Sequence, residues 1–123
     1  MSVEATTDRR RKRIVEHTIS GFNSGENAII FGNTMEQVVA DKLGNQKFRQ
    51  YIARPKSILA ITPEWVGPTI LKTTFLELKD DAMAQFICAQ AKETLKIYND
   101  VHKAKLKITK EVVRGKPQPQ YIG

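Results

Sequence analysis

The chain has 123 residues, 41% of them hydrophobic, and carries 20 Lys and Arg against 13 Asp and Glu. This length suits one domain with its own core, and the lone Cys88 excludes an internal disulfide. No apolar run reaches the roughly 18 to 20 residues that cross a bilayer, so we expect no membrane partner and a cytoplasmic protein, or a nuclear one in a eukaryotic host.

The excess positive charge lies at both ends of the sequence. Residues 1–16 hold five bases and three acids, residues 17–102 hold nine of each, and residues 103–123 hold six bases and one acid. Because Lys and Arg neutralise phosphates, this distribution predicts contact with a polyanion.

In chain order, a polar segment over residues 1–6 is predicted to be disordered, and a helix is predicted over residues 7–20. Apolar residues recur at helical spacing until Gly21 provides a stop. The basic run, residues 9–13, falls in the first half of this helix, where the macrodipole disfavours cations. Since the run does not stabilise the helix, its placement favours a binding role.

The next segment is predicted to contain a strand and two helices. Residues 28–31 form a short apolar run typical of a buried strand. Thr34 makes a capping pair with Gln37 and opens a helix that Gly44 ends. Residues 45–53 carry apolar side chains at helical spacing, which predicts a second short helix.

Two further segments before residue 80 fit short elements. Residues 57–61 are apolar and partly β-branched, and we expect them to pair with the strand at 28–31. Residues 69–78 fit either a strand or one face of a helix, and we favour the helix.

The strongest predicted element is a long helix over about residues 81–103, which Asp80 can cap. Residues 104–113 then fit an exposed edge strand with lysines on one face, although a continued helix stays open. Pro117 and Pro119 predict an extended tail over residues 116–123. The apolar stripe of the long helix contains Met83, Phe86, Ile87, Ala91, Leu95, Tyr98 and Val101.

Together these elements predict an α-rich α+β fold. We expect four or five helices around the long helix at about 81–103, with a small sheet of short strands. The organisation would be a disordered N-terminus at residues 1–6, a single globular domain at 7–115 and a Pro-rich tail at 116–123.

The two basic segments are the predicted nucleic-acid contacts. Arginine dominates the first segment, and its forked donors suit phosphate oxygens. Lysines in the second segment would project from one strand face about 6.6 to 6.8 Å apart, close to the phosphate spacing of a nucleic-acid strand, although edge lysines also guard against aggregation. The residues are Arg9, Arg10, Arg11, Lys12, Arg13, Lys103, Lys105, Lys107, Lys110, Arg114 and Lys116.

Three apolar side chains are predicted to bind a partner. Trp65 precedes Gly67 and Pro68 in a loop and could stack on a base or anchor a protein, although half-buried packing is the simpler interpretation. Tyr121 and Ile122 end the tail and could dock on a neighbouring subunit, or belong to a disordered end.

No residue pattern indicates catalysis, a cofactor or a metal. His17, His102 and Cys88 lack the spacing of a zinc motif, and no glycine-rich nucleotide motif is present. Cys88 is expected to be a small buried apolar residue. We therefore expect a non-enzymatic protein that binds DNA or RNA through largely sequence-independent phosphate contacts of its basic ends, and that forms homo-oligomers or belongs to a larger complex. The alternative is a structural or accessory subunit of a larger protein assembly, viral or phage assemblies included, that uses its basic ends and Pro-rich tail as interaction arms.

Overall fold

The computed structural model describes residues 12–53 and 66–115, and over these ranges the chain follows the order β-α-β-β-α-β. The strands form one antiparallel sheet in the order β2-β3-β1-β4. Because β3 separates β1 from β2, this is the split βαβ arrangement of ferredoxin-like folds. The elements are β1 (Arg13–Ser24), α1 (Gly25–Leu43), β2 (Lys47–Ala53), β3 (Val66–Leu78), α2 (Asp81–His102) and β4 (Lys107–Arg114).

The predicted α-rich fold of four or five helices is wrong. Within residues 12–53 and 66–115 there are two helices and a four-stranded sheet, and helix and strand contribute about equally. Short apolar runs with β-branched residues fit either period when they are considered alone, and pairing with a neighbouring strand decides between them.

The predicted helix over residues 7–20 is wrong from residue 13 onward, where β1 begins. Along β1, Arg13, Val15, His17 and Ile19 are buried, and the residues between them are only half-buried. This alternation has the period of two that a strand with one covered face shows. Gly21, predicted as a helix stop, instead has a positive φ of 108° at an irregularity between Ser20 and Phe22.

The strand predicted at residues 28–31 is also wrong, because this segment lies inside α1. The helix begins nine residues before the predicted Thr34 cap: the side chain of Ser24 accepts a hydrogen bond of 3.1 Å from the amide of Asn27. Thr34 lies mid-helix and donates to the carbonyl of Ile30. The predicted end at Gly44 is confirmed, with φ at 87° and its amide bonded to Ala40.

Two other predicted helices are strands. Residues 45–53 contain β2, and residues 69–78 belong to β3, which pairs with both β2 and β1. In β3 the buried residues Thr69, Leu71, Thr73 and Phe75 alternate with more exposed ones. The strand predicted at 57–61 lies outside the described residues.

The predictions for the last two elements are confirmed. The long helix is α2, and the side chain of Asp80 accepts a 3.0 Å hydrogen bond from Met83 as its cap. The segment predicted as an edge strand contains β4, which lies at one edge of the sheet. Val101 departs from the predicted apolar stripe, because its side chain is 67% exposed.

The core lies between the two helices and one face of the sheet. Phe31, Met35 and Val39 of α1 and Ile87 of α2 pack in one cluster with the buried residues of β1 and β3. Over the described ranges no helix covers the opposite face, which we call the open face. The alternation of burial and the register place four side chains of β1 on it: Ile14, Glu16, Thr18 and Ser20.

Candidate functional site

The open face carries a set of cationic side chains from three strands. Lys107, Lys110 and Arg114 of β4 pair with Ser20, Thr18 and Ile14 of β1 and therefore share their face. Lys72 of β3 pairs with Thr18, and Arg49 and Lys47 of β2 pair with Thr74 and Leu76. We call this set the basic face: Lys47, Arg49, Lys72, Lys107, Lys110 and Arg114.

A bulge brings the two lysines of β4 together. Between Thr18 and Ile19 the register advances one residue on β1 but two on β4, so that Thr109 is extra. Its hydroxyl donates to the carbonyl of Thr18 at 3.2 Å. Lys107 and Lys110 are three residues apart, yet the bulge gives them the same face.

Few acids balance this charge. Glu16 lies on the open face, and its carboxylate is 3.8 Å from the guanidinium of Arg114. Lys47 is 3.3 Å from Glu77, with both side chains exposed. Exposed pairs of this kind contribute little stability and exchange easily for another anion.

One row of side chains crosses all four strands on the open face. The paired positions are Tyr51 and Lys72, then Lys72 and Thr18, then Thr18 and Lys110. Tyr51 is 60% exposed, so its ring is accessible on the open face. The row places the ring next to Lys72, with Lys110 on the opposite edge strand, and a ring next to a cation is a combination found in proteins that bind single-stranded nucleic acid.

A cleft lies at one corner of the sheet near the start of β1. It has a volume of about 640 Å³, and Ile14, Leu76 and Phe48 provide its apolar surface. Lys12, Lys47 and Arg49 provide three cations, and Glu77 the one acid. The cleft can therefore accept an anionic group with an apolar portion.

Next to this corner, the described end of the first basic segment lies beside Gly115 of the second. The guanidinium of Arg13 donates to the carbonyl of Gly115 at 2.7 Å and to the carboxylate of Asp81 at 2.6 Å. A Cβ on Gly115 would meet the carbonyl of Lys12, so these backbones are in close contact. The described parts of the two basic segments therefore meet at Lys12 and Gly115.

The other predicted contacts divide into three groups. Arg13 is 4% exposed, and its guanidinium is held by Asp81 and Gly115 rather than presented to solvent. Lys103 and Lys105 precede β4, so the predicted single strand face through Lys103, Lys105 and Lys107 is wrong. Seven predicted residues lie outside the described ranges: Arg9, Arg10, Arg11, Trp65, Lys116, Tyr121 and Ile122.

The fold also brings together three side chains that the sequence does not connect. His17 of β1, Cys88 of α2 and Glu111 of β4 place their potential ligand atoms within 4.8 Å of one another. His17 is fully buried, and its Nε2 is 2.8 Å from the carboxylate of Glu111. No spacing rule reveals this cluster, because the three positions are 71 and 23 residues apart along the chain.

Electrostatics in this cluster favour a neutral thiol and an ionised carboxylate. Burial, together with the charge of Glu111 and a hydrogen bond to it, raises the pKa of Cys88 to about 11. Burial also disfavours ionised Glu111, but contacts with His17 and Cys88 and the charge of Lys92 outweigh it and lower the pKa of Glu111. A thiol with so high a pKa is a poor nucleophile near neutral pH.

Comparison with known proteins adds little. No protein family and no curated protein matches the sequence. Among solved structures, an X-ray structure described as a "putative amidohydrolase/peptidase from Burkholderia cenocepacia" is similar, at 18% identity and a TM-score of 0.49. The match covers 82% of this chain and 27% of that one, and a likeness at this level carries no argument about function.

Neither α1 nor α2, the helices of the described ranges, is apolar enough over its length to cross a bilayer.

Proposed function

We propose that this chain is a non-enzymatic protein that binds single-stranded nucleic acid on its open face, largely without sequence preference. The observation that carries the proposal is the row Tyr51, Lys72, Thr18 and Lys110, which crosses the sheet and presents one exposed ring next to Lys72 and a second cation at the opposite edge. Cations contact the phosphates and the ring stacks on a base of any identity.

The dimensions of the face suit a single strand. Neighbouring β-strands lie about 4.8 Å apart, so β2 and β4 are separated by about 14 Å across the open face. Along β2, Lys47 and Arg49 share the face and lie about 6.8 Å apart. A phosphate backbone can therefore follow the cations of β2 while its bases turn towards Tyr51.

We propose that the basic residues next to Lys12 and Gly115 in the sequence extend the same surface. Arg11 and Lys116 are bonded to Lys12 and Gly115, which lie beside each other near the corner cleft. We propose that Arg9 to Lys12 adds further phosphate contacts to a strand on the open face. Arg13 is excluded from this role because its guanidinium is engaged within the fold.

The test measures binding of a fluorescently labelled oligothymidine and oligouridine by anisotropy over a range of salt concentrations. The double variant Arg49→Ala/Lys72→Ala should flatten the slope of log affinity against log salt by about 1.4, at about 0.7 per single-strand phosphate contact. Tyr51→Ala should weaken binding roughly tenfold, since base stacking on a ring contributes about 1 to 3 kcal/mol.

The matched control is Lys42→Ala/Lys96→Ala, which removes the same charge from exposed positions on the helices. It should leave the salt slope nearly unchanged. If both double variants lower the slope equally, binding depends on net charge alone and the open face is not the site. Absence of oligonucleotide binding at low salt would contradict the whole proposal.

The second candidate function is an accessory subunit of a larger protein assembly. Ile97 and Val101 favour it, because both are more than half exposed and lie one turn apart on α2. In this case the chain would bind no oligonucleotide, and light scattering would give a mass above that of one chain of 13.9 kDa.

A further inference from the structure

We propose that His17, Cys88 and Glu111 form a zinc-binding site with one coordination position open to solvent. Each residue comes from a different element, β1, α2 and β4, so the site exists only in the folded chain. The proposal is independent of nucleic-acid binding, because the cluster lies on the helix-covered side of the sheet.

The burial of His17 in the core costs free energy. His17 occupies a core-facing position between Val15 and Ile19, and its side chain is fully buried. Its Nδ1 has no hydrogen-bond partner within the described residues. An apolar residue would be more stable at this position, since burying an incompletely bonded polar group costs free energy. A zinc bond at Nε2, the nitrogen that faces Glu111, would offset the cost of burying the ring, although Nδ1 keeps no partner among the described residues.

The distances between the three donor atoms are close to those of a zinc site. Zinc ligands lie about 2.0 to 2.3 Å from the metal, so their donor atoms are about 3.3 to 3.8 Å apart in a tetrahedron. The donor atoms of the three residues already lie within 4.8 Å of one another, and His17 and Glu111 within 2.8 Å. Side-chain movements of about 1 Å would therefore suffice, and strand pairing of His17 with Glu111 keeps two of the ligands in place.

The three types of donor atom also suit zinc. An imidazole nitrogen, a thiolate and a carboxylate are ligands that zinc accepts together, whereas magnesium and calcium prefer oxygen alone. On binding, Cys88 forms the sulfur–zinc bond and releases its thiol proton to solvent. The proton in the hydrogen bond between His17 and Glu111 leaves Nε2, which bonds to zinc, and the neutral ring carries its proton on Nδ1. The thiolate and the carboxylate then carry two negative charges, which balance the charge of the zinc ion despite the nearby Lys92.

The fourth position has access to solvent. A groove of about 680 Å³ passes Cys88 and Glu111 and is also lined by Gln85 and Lys92. Within the described residues no fourth His, Cys, Asp or Glu joins the cluster. Three protein ligands with a water molecule in the remaining position are typical of open zinc sites.

The experiment uses the untagged full chain after removal of metals by a chelator. Zinc alone is titrated in competition with a chromophoric chelator, and cobalt is used as a spectroscopic substitute. We expect one equivalent to bind, a thiolate-to-cobalt charge-transfer band, a higher Tm with zinc, and protection of Cys88 from alkylation.

Cys88→Ser keeps the size of the side chain and should remove the charge-transfer band and weaken zinc binding at least tenfold. His102→Ala, which removes the other histidine, is the control and should change neither result. Circular dichroism of each metal-free variant confirms that it folds. A cobalt spectrum without a charge-transfer band in the wild-type chain, or equal zinc affinity of the two variants, would overturn the proposal.

Discussion

At the scale of single residues, Arg13 shows how a cation of a basic run can serve the fold. Its side chain is almost fully buried, and its guanidinium joins the carboxylate of Asp81 to the carbonyl of Gly115. These bonds connect the first residue of β1 to the start of α2 and the end of β4. Hydrogen bonds that involve a charged group are stronger than neutral ones, so Arg13 stabilises the native state.

We therefore predict that Arg13→Ala lowers the free energy of unfolding by about 2 to 3 kcal/mol. The substitution removes two hydrogen bonds from a charged donor, and the carbonyl of Gly115 loses the bond from the guanidinium. Lys12→Ala, at the exposed neighbouring position, should change stability by less than about 0.5 kcal/mol. Urea denaturation of both variants provides the measurement. If both variants lose the same free energy of unfolding, the Arg13 contacts contribute no more stability than an exposed lysine does.

At the scale of elements, the end of α2 is attached to the start of β4 by one side chain. Asn99 accepts a 2.8 Å hydrogen bond from the amide of Leu106 and donates to its carbonyl at 3.1 Å. Lys103 ends the helix in the left-handed conformation, with φ at 53°. The turn and the two bonds direct the chain back to the sheet, where β4 pairs with β1.

Asn99→Ala should cost about 1 to 3 kcal/mol of stability, since it leaves a part-buried amide and carbonyl unpaired. Asn99→Asp keeps the acceptor but loses the donor, and we expect it to lie between Asn99→Ala and the wild type. Asp100→Ala, at the adjacent exposed position, is the control. If thermal unfolding shows that Asp100→Ala is as destabilising as Asn99→Ala, the hydrogen bonds from the Asn99 side chain to the backbone of Leu106 do not stabilise the fold.

At the scale of the whole molecule, the net charge of +7 is unevenly distributed. Six cations share the open face with Glu16 and with Glu77 at its margin, and Lys12 and Gly115 of the two basic segments lie beside each other at its corner. Cations held this close repel one another and oppose folding when no anion is bound.

Salt should therefore stabilise the free protein. Between about 0.01 and 0.5 M potassium chloride we expect the free energy of unfolding to rise by roughly 0.5 to 1 kcal/mol, because screening weakens repulsion on the open face. Lys72→Glu should reduce this rise, whereas Lys42→Glu, with the same charge change on α1, should retain most of it. If urea denaturation shows that the free energy of unfolding falls as the salt concentration rises, repulsion among the cations of the open face does not destabilise the free protein.

Some of the fold was predictable because local signals and tertiary contacts agree. The helix at 81–103 has a cap, strong helix formers and a long stripe, and no alternative period competes with it. The segment at 13–20 has Ile14, Val15 and Ile19, which fit a helix and a strand alike. Only pairing with β3 and β4 selects the strand there.

By itself, the sequence determined the amounts and order of charge, the long helix and the helix end at Gly44, because each depends on residues close together in the chain. The tertiary structure decided which residues face the same side. Strand alternation and register assembled the basic face from three strands, turned Arg13 inward, and brought His17, Cys88 and Glu111 together. Such juxtapositions depend on contacts between distant residues, and no local spacing encodes them.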